Sequence, residues 1–462
     1  MRKFLLNIVL VLSLPLSSVY AQSVELSLEQ CIALATDGSV SVKNAELDIL
    51  AAKAQKQEAL AAYFPTVSAT AFGFYALNPM LEIGVKDILG NNDLSNNLQN
   101  ILNQYGAVYG FDPYFSSLQY GGAANIMAVQ TVYAGGRIVT ANSLAALGVE
   151  AASLQRNIAM RSNSEEVEKS YWQVVALEEK MLTLKQAMEM LDTLYKDVSS
   201  AVSAGLAIET DLMQVSLKRN ELCSNSISLK NGIRLAKMNI LNMIGVDYSV
   251  LKSTATQERP YIDDIQFSDR LDSLASPDTY YTPEEEIAAS LDEVRLLEMS
   301  VKAKKMEKRM TLGEALPSVA VGASYGYSHM INGKFNGNVF AMLSIPITDW
   351  GKISRKMQRQ EYAINKAENE REYLSAQLQL QVRQLWMNLT SAWEQLDVAR
   401  YGVELAQKTE ENLFVQYESG MVPLSELLQV RTALDQAKND LIDKAIEYKN
   451  ALTEYLGRKG KK

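Results

Sequence analysis

Residues able to do chemistry are few in this chain and widely spaced. His329 is the only histidine in 462 residues and has no cysteine or carboxylate beside it, so it reads as a solvated loop residue. Cys31 and Cys223 are the only cysteines, both on predicted helices. They can pair in an exported chain, but they read as packed core thiols and form no disulfide framework. Asp263-Asp264 and Glu284-Glu285-Glu286 read as solvated faces or helix starts. No phosphate-binding loop, dinucleotide fingerprint, zinc-ligand spacing or nucleophile elbow occurs. That inventory argues against an enzyme and calls for no cofactor and no metal. Two acids stand out by position: Asp211 follows Gly205, and Glu426 follows Gly420, at the same spacing. Each lies near the start of a helix that returns from a glycine turn. There a carboxylate is favoured by the helix dipole alone, or it belongs to an acidic ring; both readings stand.

The elements that position these acids are written twice. Ala134-Gly135-Gly136-Arg137 opens a long polar-apolar helix past Tyr171-Trp172 to the turn at Ser203-Ala204-Gly205-Leu206, and the chain returns to Gly245. Asp349-Trp350-Gly351-Lys352 opens a second copy past Leu385-Trp386, with its turn at Ser419-Gly420-Met421 and its end at Gly457. The offset is roughly 215 positions throughout, and a fixed offset of this kind sets the architecture. Residues between Gly136 and Gly205 include no proline, and a helix of that length runs about 100 Å. Met181, Leu184, Met188, Leu191, Tyr195, Val198 and Val202 step by three and four, the pattern of a coiled-coil seam.

Each hairpin is preceded by a shorter helix and two extended segments. Ser27 caps a first helix expected to continue to Tyr63-Phe64, where Pro65 ends it. Val67, Ala69 and Ala71 then alternate with Ser68 and Thr70, and a second extended run spans Ala124 to Tyr133. In the second copy a helix from Pro283 to about Gly313 precedes Val319, Val321, Ala323, Tyr325 and Tyr327, whose side is expected to face lipid while Ser324 faces a lumen. A fourth run spans Val339 to Ile347. Four alternating segments of about ten residues have the length of tilted membrane strands. A short loop around Asn332-Gly333 joins the second pair. The first pair is joined by Leu77 to Gly122, a loop long enough to need its own structure or function. Within it Leu94, Leu98, Ile101 and Leu102 outline an amphipathic helix starting near Asp93, and the segment is expected to be extracellular, folded over the barrel mouth.

The expected organisation is a signal peptide at 1–21, a first repeat at 22–245, a connector at 246–282, a second repeat at 283–457 and a basic tail at 458–462. Removal of Arg2 and Lys3 with the leader takes the net charge from −9 to −11, which argues against nucleic acid as partner. No cysteine follows the cleavage point, so no lipidated N-terminus is expected. No apolar run after residue 21 reaches the ~20 residues of a membrane helix, which leaves a closed barrel as the only way to span a bilayer.

Pro65-Thr66-Val67, Pro317-Ser318-Val319, Ala134-Gly135-Gly136-Arg137, Ile345-Pro346-Ile347-Thr348-Asp349-Trp350-Gly351-Lys352 and the two glycine turns, in order and twice, resemble the TolC family of outer-membrane efflux proteins. The resemblance implies a mainly α protein with membrane β structure. Three protomers would each give four strands to a twelve-stranded outer-membrane barrel, and their hairpins would form a periplasmic α-barrel. It implies an exit duct of a tripartite efflux or type I secretion system, with a periplasmic adaptor and an inner-membrane transporter as partners. It also implies a periplasmic gate, in which Tyr417 falls on the tyrosine position, Val422 on the arginine position, and Glu426 and Gln429 on two acid positions; Asp211 would join the acidic ring. Adaptor hairpins would dock near Gly205-Leu206 and Gly420-Met421. The rival reading is a periplasmic adaptor or structural coiled-coil protein without a pore, and an enzyme comes third.

Overall fold

The computed structural model describes residues 24–117, 119–251, 259–271, 274–329 and 333–460. The leader expected at 1–21 lies outside the described residues, as do the last two residues of the tail. In chain order, β1 (Val24–Leu26) leads into α1 (Leu28–Gly38) and α2 (Val40–Ala61). Next come β2 (Thr66–Tyr75), β3 (Leu81–Ile83), α3 (Val85–Leu89), α4 (Asp93–Tyr109), β4 (Phe115–Ser117) and β5 (Tyr120–Ala134). The first hairpin is α5 (Arg137–Ser203) and α6 (Glu209–Met243), followed by β6 (Ile265–Phe267). The second copy has α7 (Glu284–Ser290), α8 (Asp292–Glu314), β7 (Ser318–Ser328), β8 (Lys334–Ser344), α9 (Lys352–Glu418) and α10 (Leu424–Lys459). The protein is mostly helical. The long helices α5 and α9 have 67 residues each, and no described helix is long and apolar enough to cross a membrane.

The first helix differs from expectation by a break. Ser27 does cap it, accepting from Gln30 N at 3.3 Å while Gln30 Oε1 accepts from Ser27 N at 3.0 Å. Helix α1 then stops at Ser39, whose ψ of 131° is extended. The second copy breaks at the matching place, with Leu291 at ψ 134° between α7 and α8. The first break falls in Asp37-Gly38-Ser39-Val40, poor helix-forming sequence, and the second between Ser290 and Asp292; the residue at each break, Ser39 and Leu291, is buried.

The chain forms two compact units, the first from Met1–Ala51, Glu150–Met299 and Glu368–Lys462, the second from Ala52–Val149 and Ser300–Ala367. In the first unit a core gathers Tyr171, Trp172, Val175, Ile240 and Leu241 with Ile262, Ile265 and Phe267. The stretch read as a polar connector is therefore partly packed. Strand β6 pairs in parallel with β1, and three buried tyrosines hold neighbouring backbone. Tyr171 OH lies 2.6 Å from Asp269 Oδ2 and 3.1 Å from Leu26 O. Tyr448 OH donates to Ala275 O at 2.5 Å, and Tyr455 OH donates to Thr282 O at 3.2 Å. Cys31 is buried here, its thiol pushed up to about 12 by burial. Cys223 corrects the sequence reading: it is exposed, and neither thiol is in a disulfide.

In the second unit one antiparallel sheet has the order β2-β5-β7-β8. Strand β8 begins earlier than expected and ends at Ser344, before Ile345 to Ile347. The polar residues expected to form a loop belong to the strand: Asn336 and Asn338 alternate with Phe335 and Val339, so their polarity marks one face. Cross-strand pairing carries that alternation across the sheet. Tyr325 pairs with Ile126 and Gly337, Ala323 with Ala128 and Val339, and Val321 with Gln130 and Ala341. Ala128 and Ile126 in turn face Val67 and Ala69. One face is thus apolar except for Gln130. The other carries Ser68, Thr70, Asn125, Ser324, Asn336 and Asn338, with Ser324 Oγ 2.6 Å from Asn338 Oδ1.

Both strand-to-helix junctions use two successive left-handed residues, Gly135 (φ 61°) and Gly136 (φ 76°) in one, Trp350 (φ 55°) and Gly351 (φ 82°) in the other. At Gly135 the backbone also passes Gly313 so closely that an added Cβ on Gly313 would lie 2.6 Å from Gly135 O. Gly313→Ala is expected to lower stability by about 1–3 kcal/mol through forced backbone movement. Gly148→Ala, where a Cβ meets nothing within 4 Å, is expected to raise it by about 0.5–1 kcal/mol. Thermal melts of the purified protein in detergent check both signs.

Candidate functional site

The two glycine turns close over one shared apolar cluster in the first unit. Leu191, Leu194, Val198, Val215, Leu222, Leu424 and Leu427 form it, with Val202, Leu212, Phe414, Tyr417 and Leu428 packed around them. Six of the seven residues of the expected seam lie in or against this cluster; Met181 does not. Helices of the first and second hairpins therefore pack directly on each other here, in the manner of knobs in holes.

Each long helix ends by the same device. Gly205 N donates to Val202 O at 3.0 Å and Leu206 N to Ala201 O at 2.8 Å; Gly420 N donates to Tyr417 O and Met421 N to Gln416 O, both at 2.9 Å. These are Schellman caps, which need a left-handed residue after the helix, and Gly205 (φ 74°) and Gly420 (φ 70°) supply it. Space is not the reason for glycine, because a Cβ at either would meet nothing within 4 Å. Beyond each cap an apolar side chain stands in solvent: Leu206 is 84% exposed and Met421 72%.

The acids do not cap. The residues preceding α6 and α10 are Ile208 and Pro423, and neither makes a side-chain cap bond. Asp211 and Glu426 sit in the first turns, where only the helix dipole acts on them. Asp211 is half-buried and faces Tyr417, whereas Glu426 and Gln429 are exposed. Burial raises the Tyr417 phenol above its ordinary value, and the charges of Asp211 and Asp197 add to that while Arg431 opposes it. Tyr417 of the second hairpin thus packs on the shared cluster beside Leu212 of the first, with the charges of Asp211 and Asp197 acting on its phenol.

One group at this end is absent from the sequence reading. Arg431 Nε lies 2.8 Å from Glu410 Oε1, with only 12% and 11% of the two side chains exposed, and its guanidinium stacks 5.2 Å over Phe414. Val422 stands where the resemblance placed an arginine; the guanidinium whose charge acts on Tyr417 is Arg431, already engaged by Glu410. Burial also raises Asp435 above the usual carboxylate range, against the pull of Lys438, Lys218 and Arg431. The signal was present: Arg431 falls between the buried Leu427 and Leu434 at seam spacing. Among the described residues, no cluster of histidine, cysteine and carboxylate could hold a metal.

Breaking this pair leaves a charge in the seam, so Arg431→Met is expected to cost about 3–5 kcal/mol. Arg431→Met combined with Glu410→Leu should recover most of that loss, because the seam then becomes continuous apolar packing. Thermal melts of the two variants decide; equal losses would mean the pair contributes only through Arg431 packing.

Comparison with known proteins agrees with this architecture. The family model described as Outer membrane efflux protein matches residues 293–457, and among curated proteins none matches the sequence. Solved structures match nearly end to end. The outer membrane protein VceC from Vibrio cholerae has a TM-score of 0.69 at 13% identity, covering 94% of this chain and 96% of that one. A membrane protein from Pseudomonas aeruginosa has a TM-score of 0.72 at 15% identity, covering 96% and 98%. The Campylobacter jejuni CmeC outer membrane channel has a TM-score of 0.69 at 15% identity, covering 94% and 85%. At these identities the likeness is one of fold. The sequence match to the outer membrane efflux protein model covers the second copy, and the fold is shared with these outer-membrane channels over nearly the full length of the chain.

Proposed function

We propose that three copies of this chain form an outer-membrane exit duct, receiving small molecules or proteins from an inner-membrane transporter through a periplasmic adaptor. The observation that carries this reading is the sheet of β2, β5, β7 and β8, apolar on one face except for Gln130 and carrying Ser68, Thr70, Asn125, Ser324, Asn336 and Asn338 among Phe72, Met127, Phe340 and Met342 on the other, with β2 and β8 as its outer strands. Four strands cannot close a barrel, and in lipid an unpaired edge leaves backbone groups without partners. Three copies supply twelve strands, put the Val321 and Tyr325 face toward lipid and line a lumen with Ser324, Asn336 and Asn338. Trp350 and Ile347, both almost fully exposed just beyond β8, suit the membrane interface, where aromatic side chains anchor. The rival reading, a periplasmic adaptor without a pore, explains the hairpins but leaves this apolar sheet face in water.

The helical part then lies in the periplasm with its glycine turns toward the adaptor. Leu206 and Met421, presented on rigid caps, are apolar anchors for adaptor hairpins that dock beside Gly205 and Gly420. The gate uses Tyr417, Asp211, Glu426 and Gln429. Threefold symmetry gathers three copies of each acid at the narrow end, where like charges focus the field and concentrate cations. Energy for transport comes from the inner-membrane partner.

Membrane fractionation tests the assembly: an outer-membrane band of trimer size without heating, converted to monomer by heating, is expected. Val321→Arg puts a charge on the apolar face at a cost of about 2–4 kcal/mol at the bilayer midplane, and is expected to abolish that band. A normal trimer yield from this variant contradicts the lipid-facing assignment. In single-channel recordings the wild type should prefer cations, and Asp211→Asn with Glu426→Gln should weaken that preference while trimers persist. Unchanged selectivity with a weakened trimer would make these residues helix-dipole acids and nothing more.

A further inference from the structure

The insertion between β2 and β5, present only in the first copy, contains a helix that leaves its apolar stripe exposed. Helix α4 packs on its own loop through Ser95, Gln99, half-buried Leu102 and Gly106. Ser95 and Gln99 are nearly inaccessible. Ser95 Oγ donates to Gly90 O at 2.5 Å, and Gln99 Oε1 accepts from Val85 N at 2.6 Å. Gly106 completes this face, because an added Cβ would lie 2.5 Å from Phe111 O. Residues 95, 99 and 106 thus press α4 against its own loop. The adjacent face, roughly a third of a turn away, carries Leu94, Leu98, Ile101, Tyr105 and Val108, exposed by 66%, 37%, 49%, 54% and 70%. A helix of this kind normally buries its apolar stripe; this one presents it.

We propose that this stripe is covered by the same helix of the two other copies, so that three α4 helices form a bundle on the threefold axis over the barrel mouth. The inference rests on the trimeric reading above. Three observations choose this occupant. The spacing 94, 98, 101, 105, 108 alternates four and three, the seam of a self-associating coiled coil. The stripe is flanked by the neutral amides Asn97 and Gln104 on one side and by Ser95 and Leu102 on the other, so parallel copies bring no like charges together along it. The insertion also departs from β2, which pairs only with β5 among the described residues and is the edge that a neighbouring copy must complete. A lipid-bound amphipathic helix would carry lysine or arginine on its polar side, and α4 has neither.

Site-directed cross-linking tests this in the full-length protein in cells. In a Cys223→Ser background, with Cys31 buried, Leu98→Cys, Ile101→Cys and Tyr105→Cys are each treated with a short bis-maleimide added outside. All three are expected to give cross-linked protomer dimers on denaturing gels, and Asn100→Cys, exposed but off the stripe, is expected to give none. An intact unheated trimer band without cross-links at any stripe position overturns the bundle and leaves the channel reading standing. The bundle fails in that case whether those thiols react with a water-soluble maleimide, as on a solvated face, or are shielded from it by lipid or another protein. Loss of the trimer band from the parent protein overturns the channel reading, and the bundle with it.

Discussion

Backbone hydrogen bonding at the two sheet edges constrains everything else in this protein. Strands β2 and β8 each pair on one side only among the described residues, and hydrocarbon offers nothing to the N–H and C=O groups on the other side. In the assembly proposed above the sheet is a fraction of a barrel, completed by other copies. Two left-handed residues at each strand-to-helix junction swing the chain sharply from a strand into a 67-residue helix. Trp350 accepts a backbone conformation that glycine takes elsewhere, which is tolerable where an aromatic ring at an interface gives something in return.

At the other functional end the governing interaction is the apolar seam, and its polar interruptions carry the information. A buried Glu410–Arg431 pair inside a leucine seam is poor material for raw stability. Its effect is to fix register: only one alignment of α9 against α10 brings the two charges together at 2.8 Å. Tyr417 packs on this cluster beside Leu212, so a rotation of one hairpin against the other changes its environment. In the gate proposed above, with Val422 in place of a charge and Arg431 engaged by Glu410, the closed state rests on packing and on the burial of one phenol rather than on a ring of ion pairs.

Much of this is legible in the sequence, and the differences share one cause. The duplication, the long helices, the glycine caps and the seam from Leu184 to Val202 are local or periodic signals, and periodicity survives without coordinates. The break at Ser39 has a local signal in Gly38, which a reading of one continuous helix passes over; its match at Leu291 has none as strong, and both residues are buried. The start of β8 is hidden because Asn336 and Asn338 look like loop residues until their partners on β7 show a polar face. Cys223 misleads because a residue type with a strong average tendency to be buried tells little about one site. Arg431 escapes for the opposite reason. It sits at a seam position in plain view, but a charge on a helix is ordinarily read as solvated.

The two copies diverge most where they have least in common to do. Both must make a hairpin, and there the copies keep equal helix lengths and the same cap. Only one of them carries the insertion, and its helix uses the hydroxyl of Ser95 and the amide of Gln99 to pack on its own loop while its apolar stripe stays exposed. A polar interior of that kind needs specific partners for every group, and Gln99 and Ser95 have them. Once those bonds fix α4 rigidly, the apolar stripe is displayed in one orientation and cannot collapse inward. In a monomer such a surface would be a liability; around a threefold axis it becomes the face on which three identical copies agree.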